Sequence, residues 1–304
     1  MMPGFEISSF VSAALRAHRP VVALETTLVT HGLPHPQGLE AAVELEQIVV
    51  GAGAVPATIG VLDGRVRVGM DLDELNRLAT AGETVKLNPS NFAAQLGAGL
   101  PGSTTVAATV FVAARSGIEV FATGGIGGVH RDAGETGDES ADLQALARWP
   151  VAVVCAGAKA ILDLPKTVER LESLGVPVFG FGADEFPAFY RRGSGLPVDR
   201  RFDDVASLAA AVRTHFSLGL GTGVVVANPI PPEHELPQEA CDGALAQALA
   251  DARAAGIAGR AVTPFLLERM RALTGGASVD ANLALLRSNA RLAAELAGAL
   301  SRPG

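Results

Sequence analysis

Cysteine is nearly missing from this chain: Cys155 and Cys241 are the only two in 304 residues, far apart and outside any CxxC or Cys/His spacing. That excludes a disulfide framework and a structural zinc site, and it fits a reducing, cytoplasmic compartment. Basic runs and basic-aromatic alternation are also lacking, and the formal charge is -8. A surface that tracks a nucleic-acid polymer is therefore excluded, and any nucleotide handled is a monomer. No segment reaches roughly 18 uninterrupted apolar residues, the length a membrane helix needs. The opening stretch MMPGFEISSFVSAALRAHRP breaks its apolar residues with polar and charged ones, so neither export nor membrane insertion is expected.

Lysine is the other scarcity. Against 21 arginines stand three lysines, Lys86, Lys159 and Lys166. An ammonium can shed its proton and attack a carbonyl, whereas a guanidinium cannot, so the few lysines become candidates for chemistry. Genomic codon bias accounts for the same ratio.

What is present is apolar material, 48% of the residues, enough for a large core. Short β-branched runs, VVAL (21–24), ATIGVL (57–62), EVFAT (119–123), VAVVC (151–155), VPVFGF (176–181) and GVVVAN (223–228), alternate with amphipathic helical stretches. This alternation predicts an α/β fold, an α/β/α sandwich around a mostly parallel mixed sheet, as a single domain over 1–304. The proline-rich PIPPEHELP (229–237) introduces a helical C-terminal extension ending in DANLALLRSNARLAAELAGAL. Ligands of such sheets sit beyond the carboxyl ends of the strands, which is where site residues are sought.

The first of these strands ends in Glu25-Thr26-Thr27, followed by His31 and Gly32. A carboxylate there, beside apolar residues, is placed to have a raised pKa and act as a general acid; a capping or salt-bridged glutamate is the plainer reading. EVFAT runs through Thr123 into Gly124-Gly125-Ile126-Gly127-Gly128-Val129-His130, a glycine turn that lets backbone amides approach a ligand but is neither a dinucleotide fingerprint nor a Walker loop. His130 suits a base edge or the organisation of that loop.

Acids then gather from Asp132 to Asp142, including Glu135, Asp138 and Glu139. Carboxylates among glycines suit magnesium or manganese with retained waters, and Asp138, Ser140 and Asp142 serve equally well as helix caps. Lys159 follows the apolar strand VAVVC among small residues, where poor hydration would lower its pKa and free the amine for imine formation. Lys166, after Pro165, reads as a solvated cation. Lys86 in VKLNPSN and the Ser103-Thr104-Thr105-Val106 start of a helical run offer a phosphate site, with N-capping by Ser103 or Thr104 as the alternative.

Taken together, ALETTxxTHG, ATIG, GxxVGM, TTVA, TGGIGGVHR, DESADL, PVAVVCAGAK and FPAFY resemble, in order and spacing, the pseudouridine-5'-phosphate glycosidase family, also called indigoidine synthase A-like, over roughly residues 8–298. The resemblance implies an α/β/α fold, a homotrimer and one Mn2+ per subunit. It also implies reversible conversion of pseudouridine 5'-phosphate and water into uracil and ribose 5-phosphate. By the same resemblance Glu25 is the proton donor, Lys159 the nucleophile and Asp138 the metal ligand, while Lys86, Val106, Ser140, Ala141 and Asp142 contact substrate. Thr123, His130 and Asn289, or Asn282 on the same helix, are expected near the base or the loop.

Two departures stand out. Leu87-Asn88-Pro89-Ser90-Asn91 replaces a more basic stretch after Lys86, and Glu135 with Glu139 makes the metal loop more acidic, with room for a further ligand. A carbon-linked base is a poor leaving group, so the two-carboxylate oxocarbenium route of ordinary glycosidases is unattractive, and a covalent electron sink is expected instead. The same residues would serve a Schiff-base aldolase acting on another sugar phosphate, or a non-catalytic sugar-phosphate sensor.

Overall fold

The computed structural model describes residues 4–257 and 262–301. Its strands are β1 Phe5–Ile7, β2 Val21–Leu24, β3 Val55–Leu62, β4 Arg65–Val68, β5 Val85–Leu87, β6 Gly102–Thr104, β7 Val120–Ala122, β8 Ala152–Cys155, β9 Val178–Phe181, β10 Arg200–Phe202 and β11 Val224–Ala227. The helices are α1 Ser9–Arg16, α2 Gln37–Gly51, α3 Leu72–Thr80, α4 Phe92–Ala98, α5 Val106–Ser116, α6 Ala133–Thr136, α7 Ala141–Leu146, α8 Leu164–Ser173, α9 Val205–Ser217, α10 Gln238–Ala254, α11 Val262–Leu273 and α12 Ala277–Leu300. A single π-helical turn, Leu28–Gly32, follows β2.

The strands form one sheet in the order β1-β4-β3-β2-β7-β8-β11-β9-β10, with β6 joined to β3 and β5 to β6. All pairings are parallel except those of β3 with β4 and with β6. Successive side chains of a strand point to opposite faces, and every residue of β2, β8 and β11 is buried, so both faces of the central sheet are covered. On β2, β7 and β8 lies α12, flanked by α2 and α9, while α5 packs on β2 and β7 with α7 at its side. The expected sandwich, mostly parallel sheet and C-terminal helices are all present.

Each of the six strands anticipated from apolar runs is found. Five others escape that reading because they are short and several are polar: RVRV and RRF contain no apolar run, and β4 is tied to β1 by ion pairs from Arg65 and Arg67 to Glu6. Ser103 and Thr104 open no helix. They lie in β6, and the cap of α5 is Thr105, whose hydroxyl accepts the Ala108 amide at 3.3 Å.

Strand order reverses between β2 and β7, the first having its other neighbour at β3 and the second at β8. A crevice at the carboxyl ends of such a switch point is the standard ligand position in open α/β sheets.

Candidate active site

Glu25 leaves β2, Thr123 leaves β7, and Lys159 follows β8 by a tight turn, so three adjacent parallel strands deliver three functional side chains to one crevice. The turn after β8 is fixed by the Lys159 amide donating to the Ile126 carbonyl at 3.1 Å and by Gly157 in the left-handed region, φ 77°. A Cβ on Gly157 would meet the Pro187 carbonyl oxygen at 2.0 Å, so no other residue fits there.

The hydroxyls next to Glu25 are structural. Thr26 donates to the Ile59 carbonyl at 2.8 Å and accepts the Thr104 amide at 3.0 Å, and Thr27 donates to the Thr104 carbonyl at 2.7 Å. They lock the end of β2 against β3 and β6, which leaves the Glu25 carboxylate directed to the crevice, where the Thr123 hydroxyl donates to it. Burial pushes the Glu25 carboxyl above its ordinary value, against the opposing pull of the Lys159 charge and of the Thr123 hydrogen bond. The raised pKa expected of a general acid is therefore present.

Glu25, Thr27, Lys86 and Lys159 stand at the junction of two recesses. One is polar, about 490 Å³, and is walled by Asn88, Ser90 and Asn91, by Thr105 and Val106 at the start of α5, and by His130, Asp138 and Ser140 to Asp142. The other is mainly apolar, with Leu28, Phe189, Leu267 and Leu286 as walls and His31 and Asn282 among its polar groups. Lys159 itself is half-buried, touching both recesses. It is Lys86 whose ammonium burial pushes down, with Lys159 as the like charge beside it, against the pull of Asp142 and Glu25. Burial and the Lys86 charge also lower the His31 imidazole, whose Nδ1 lies 2.6 Å from the Thr30 hydroxyl. Cys155, behind Lys159, is buried with its thiol pushed up to about 12, which removes it as a nucleophile at neutral pH.

Asp142, at the start of α7, is buried and spends both oxygens on backbone amides: Oδ1 accepts from Ala107 at 2.9 Å and Oδ2 from Gly127 at 2.7 Å. Ser140 caps the same helix through the Asp142 amide at 3.2 Å. The two residues therefore pin the glycine turn to the start of α5, and a Cβ at Gly127 would fall 2.2 Å from the Ser140 hydroxyl. In the unusual segment after Lys86, Asn88 accepts from the Ser90 hydroxyl at 2.6 Å and Asn91 donates to the Lys86 carbonyl at 3.1 Å, which holds polar but uncharged groups at the rim.

Among the described residues no three His, Cys, Asp or Glu side chains gather as a metal cage. Asp138 has a half-open carboxylate at the mouth of the polar recess, with His130 Nδ1 4.0 Å away. One oxygen of the Glu139 carboxylate pairs with Arg170 at 3.0 Å at the edge of the same recess, and Glu135 lies exposed on α6. One carboxylate beside a polar cavity fits a hard cation that keeps most of its waters, and it does not fit a cation held wholly by protein.

Asn289 does not reach either recess. It is fully buried on α12, donating to the Thr123 carbonyl at 2.8 Å and accepting from Asn228 at 2.9 Å, so the expectation of a substrate contact is replaced by a place behind the site. Asn282, two turns earlier on the same face, is the asparagine that opens onto the apolar recess. Phe189, Leu267 and Leu286 were not foreseen. Of these only Phe189 has a local peculiarity, a left-handed φ of 64°, and that is invisible in sequence.

Comparison with known proteins decides the lineage. Residues 10–299 match the family described as indigoidine synthase A like protein. The pseudouridine-5'-phosphate glycosidase of Methylobacterium nodulans is 55% identical over 98% of this chain and 88% of its own length. That of Paracoccus denitrificans is 55% identical over 99% of this chain and 100% of its own. This chain belongs to the pseudouridine-5'-phosphate glycosidase family. Among solved structures, the prealnumycin C-glycosynthase AlnA in complex with ribulose 5-phosphate superposes with a TM-score of 0.92 at 39% identity, covering 99% of this chain and 98% of AlnA. An indigoidine synthase A-like protein of Thermotoga maritima gives a TM-score of 0.89 at 35% identity, covering 98% and 97%.

Proposed function

We propose that this protein reversibly cleaves the carbon-carbon glycosidic bond of pseudouridine 5'-phosphate, consuming water and giving uracil and ribose 5-phosphate, through an imine on Lys159. The observation that carries this reading is the meeting of Glu25 and Lys159 where a polar recess joins an apolar one. The ribose phosphate belongs in the polar recess near Lys86 and Val106 at the start of α5, where the helix dipole favours an anion. The base belongs on the apolar side. A relative that carries a pentulose phosphate, AlnA, supports the sugar-phosphate half of the assignment.

In the forward direction Glu25 gives its proton to the ring oxygen of the sugar as the Lys159 amine bonds to C1', which opens the ring. The resulting secondary ammonium gives a proton to the Glu25 carboxylate, and the freed nitrogen lone pair forms the C1'=N double bond while the C1'-C5 electron pair leaves with the base, whose C5 takes that proton to become uracil. Water adds to the imine and releases ribose 5-phosphate, regenerating the amine. The high Glu25 pKa keeps part of the population protonated where an ordinary glutamate would be ionised.

A divalent cation, which the resemblance gives as manganese, would be held by Asp138 and water, and when bound it supplies positive charge for orienting the anionic substrate. The reading includes a cytoplasmic enzyme, supported by two cysteines that are both free and buried; among the described residues no helix is long and apolar enough to cross a membrane. It also includes a homotrimer, as the resemblance in sequence implies. Sedimentation equilibrium tests the assembly.

Borohydride reduction in the presence of ribose 5-phosphate, followed by peptide mass mapping, tests the chemistry. The expected result is a reduced pentose adduct on Lys159 together with uracil release from pseudouridine 5'-phosphate. An unmodified Lys159 in a protein that still turns over overturns the imine, and failure to release uracil overturns the substrate.

A further inference from the structure

Behind Glu25 runs a line of buried amide side chains that the proposed chemistry does not use. Asn289 is 0% exposed, and all its polar capacity is engaged within the protein: Nδ2 donates to the Thr123 carbonyl at 2.8 Å and approaches the Gly124 carbonyl at 3.5 Å, while Oδ1 accepts from Asn228 Nδ2 at 2.9 Å. Asn228 follows directly on β11. Its backbone amide donates to the Cys155 carbonyl at 2.8 Å, and its side chain also reaches the Ser288 hydroxyl at 3.0 Å.

These bonds fall where the sheet ladder stops. The Thr123 amide still donates to Val154 at 3.0 Å and the Gly124 carbonyl accepts from the Ala156 amide at 2.9 Å, but the Thr123 carbonyl between them turns toward α12 and meets Asn289 there. A buried carbonyl without a donor costs free energy, so the position of the Thr123 peptide is tied to the Asn289 amide. The same residue's hydroxyl is the donor to Glu25. An unbroken hydrogen-bonded path therefore leads from the end of β11, through α12, to the carboxyl group at the end of β2.

We propose that Asn289 and Asn228 are positioning residues for the reaction, fixing the Thr123 peptide so that its hydroxyl holds the Glu25 carboxyl in line for proton transfer to the sugar. The role assigned to Glu25 comes from the function proposed above; the coupling of Asn289 to the Glu25 carboxyl stands on the geometry alone. A residue acting this way moves turnover and the ionisation of Glu25 without moving substrate affinity, whereas one that only packs α12 moves thermal stability alone.

The test compares wild type with Asn289→Ala, Asn228→Ala, Thr123→Val and the Thr123→Val/Asn289→Ala double variant, all as full chains supplied with Mn2+. Steady-state uracil release is followed from about pH 5 to about pH 9, and the Glu25 carboxyl is titrated separately by carbon NMR of protein labelled at the glutamate side-chain carboxyl. Asn289→Ala is expected to lower kcat by about tenfold or more with KM within about twofold, and to move the basic limb upward, because a donor to the ionised carboxylate is loosened. Thr123→Val is expected to do the same, and the double variant to be no slower than Thr123→Val by more than about twofold, since Asn289 acts through Thr123. Losses that multiply in the double variant, or an Asn289→Ala enzyme with the wild-type kcat and limb, overturn the proposal. Should Asn289→Ala fail to fold, Asn228→Ala decides: a smaller loss of kcat with the same direction of limb shift supports the path, and a changed melting temperature alone overturns it. The NMR titration needs no substrate, so an unshifted Glu25 in the variants sinks the positioning role even if wild type proves active, and a wild type that releases no uracil sinks only the function.

Discussion

The Asp142 carboxylate bridges the amides of Ala107 and Gly127, one oxygen to each, and so joins the start of α5 to the glycine turn that follows β7. A residue that reads in sequence as a substrate contact or a helix cap lines the polar recess and also clamps two of its walls together.

Asp142→Asn keeps the shape but has one acceptor oxygen, so its amide nitrogen must face a backbone donor. Leaving that buried amide unsatisfied costs about 1–3 kcal/mol, so the urea midpoint should fall. Misplacement of the recess walls should lower kcat/KM by about tenfold or more. Urea unfolding followed by circular dichroism, with steady-state kinetics, checks both.

Gly127→Ala approaches the same clamp from the other side. Its methyl group would stand 2.2 Å from the Ser140 hydroxyl and 2.7 Å from Asp142 Oδ2, so the α7 start must retreat. An ångström of displacement in a catalytic arrangement costs roughly a hundredfold in rate, and a loss of that order is expected with the protein still folded. A wild-type rate would show that the recess wall does not contribute to turnover.

Glu25→Gln removes the acid while keeping the hydrogen-bonding shape, and most turnover should go with it. The pH dependence of stability has a definite sign. Because burial raises the folded-state pKa, the unfolded chain binds fewer protons at this site, and its contribution to stability falls as pH rises from the ordinary glutamate value through the raised one. Glu25→Gln should therefore be more stable than wild type at neutral pH, with the gap closing toward acid. Denaturation series at several pH values test this, and a gap that widens toward acid would contradict it.

Asp138→Ala should weaken Mn2+ binding while leaving the melting temperature of the metal-free protein nearly unchanged, because the Asp138 carboxylate is half-exposed and carries no buried load. Titration followed by the manganese paramagnetic resonance signal measures it; equal affinity in the variant would place the ion elsewhere.

Much of this arrangement is readable in the sequence because parallel strands buried on both faces are written as unbroken apolar runs. VVAL, VAVVC and GVVVAN announce β2, β8 and β11, and the residues just beyond them include Glu25, Lys159 and Asn228. The short strands are written differently. RVRV holds β4 in place through Glu6, a partner sixty residues away in sequence, and no local pattern shows that. The apolar recess is likewise assembled from Leu28, Phe189, Leu267 and Leu286, brought together only by the folding of α11 and α12 over the strand ends. Asn282 and Asn289 occupy one face of one helix, and spacing alone cannot say which meets the cavity and which the sheet; in the fold Asn289 meets the Thr123 carbonyl at the end of β7 and Asn282 meets the cavity.

The last helix thus does more than cover the sheet. Glu25 and Lys159 emerge from the ribosome long before residue 289, yet until α12 docks the Thr123 carbonyl lacks its donor and the apolar recess lacks Asn282 and Leu286. A nascent chain that already carries both reactive side chains therefore has no finished pocket to use them in until the C-terminal helix is in place.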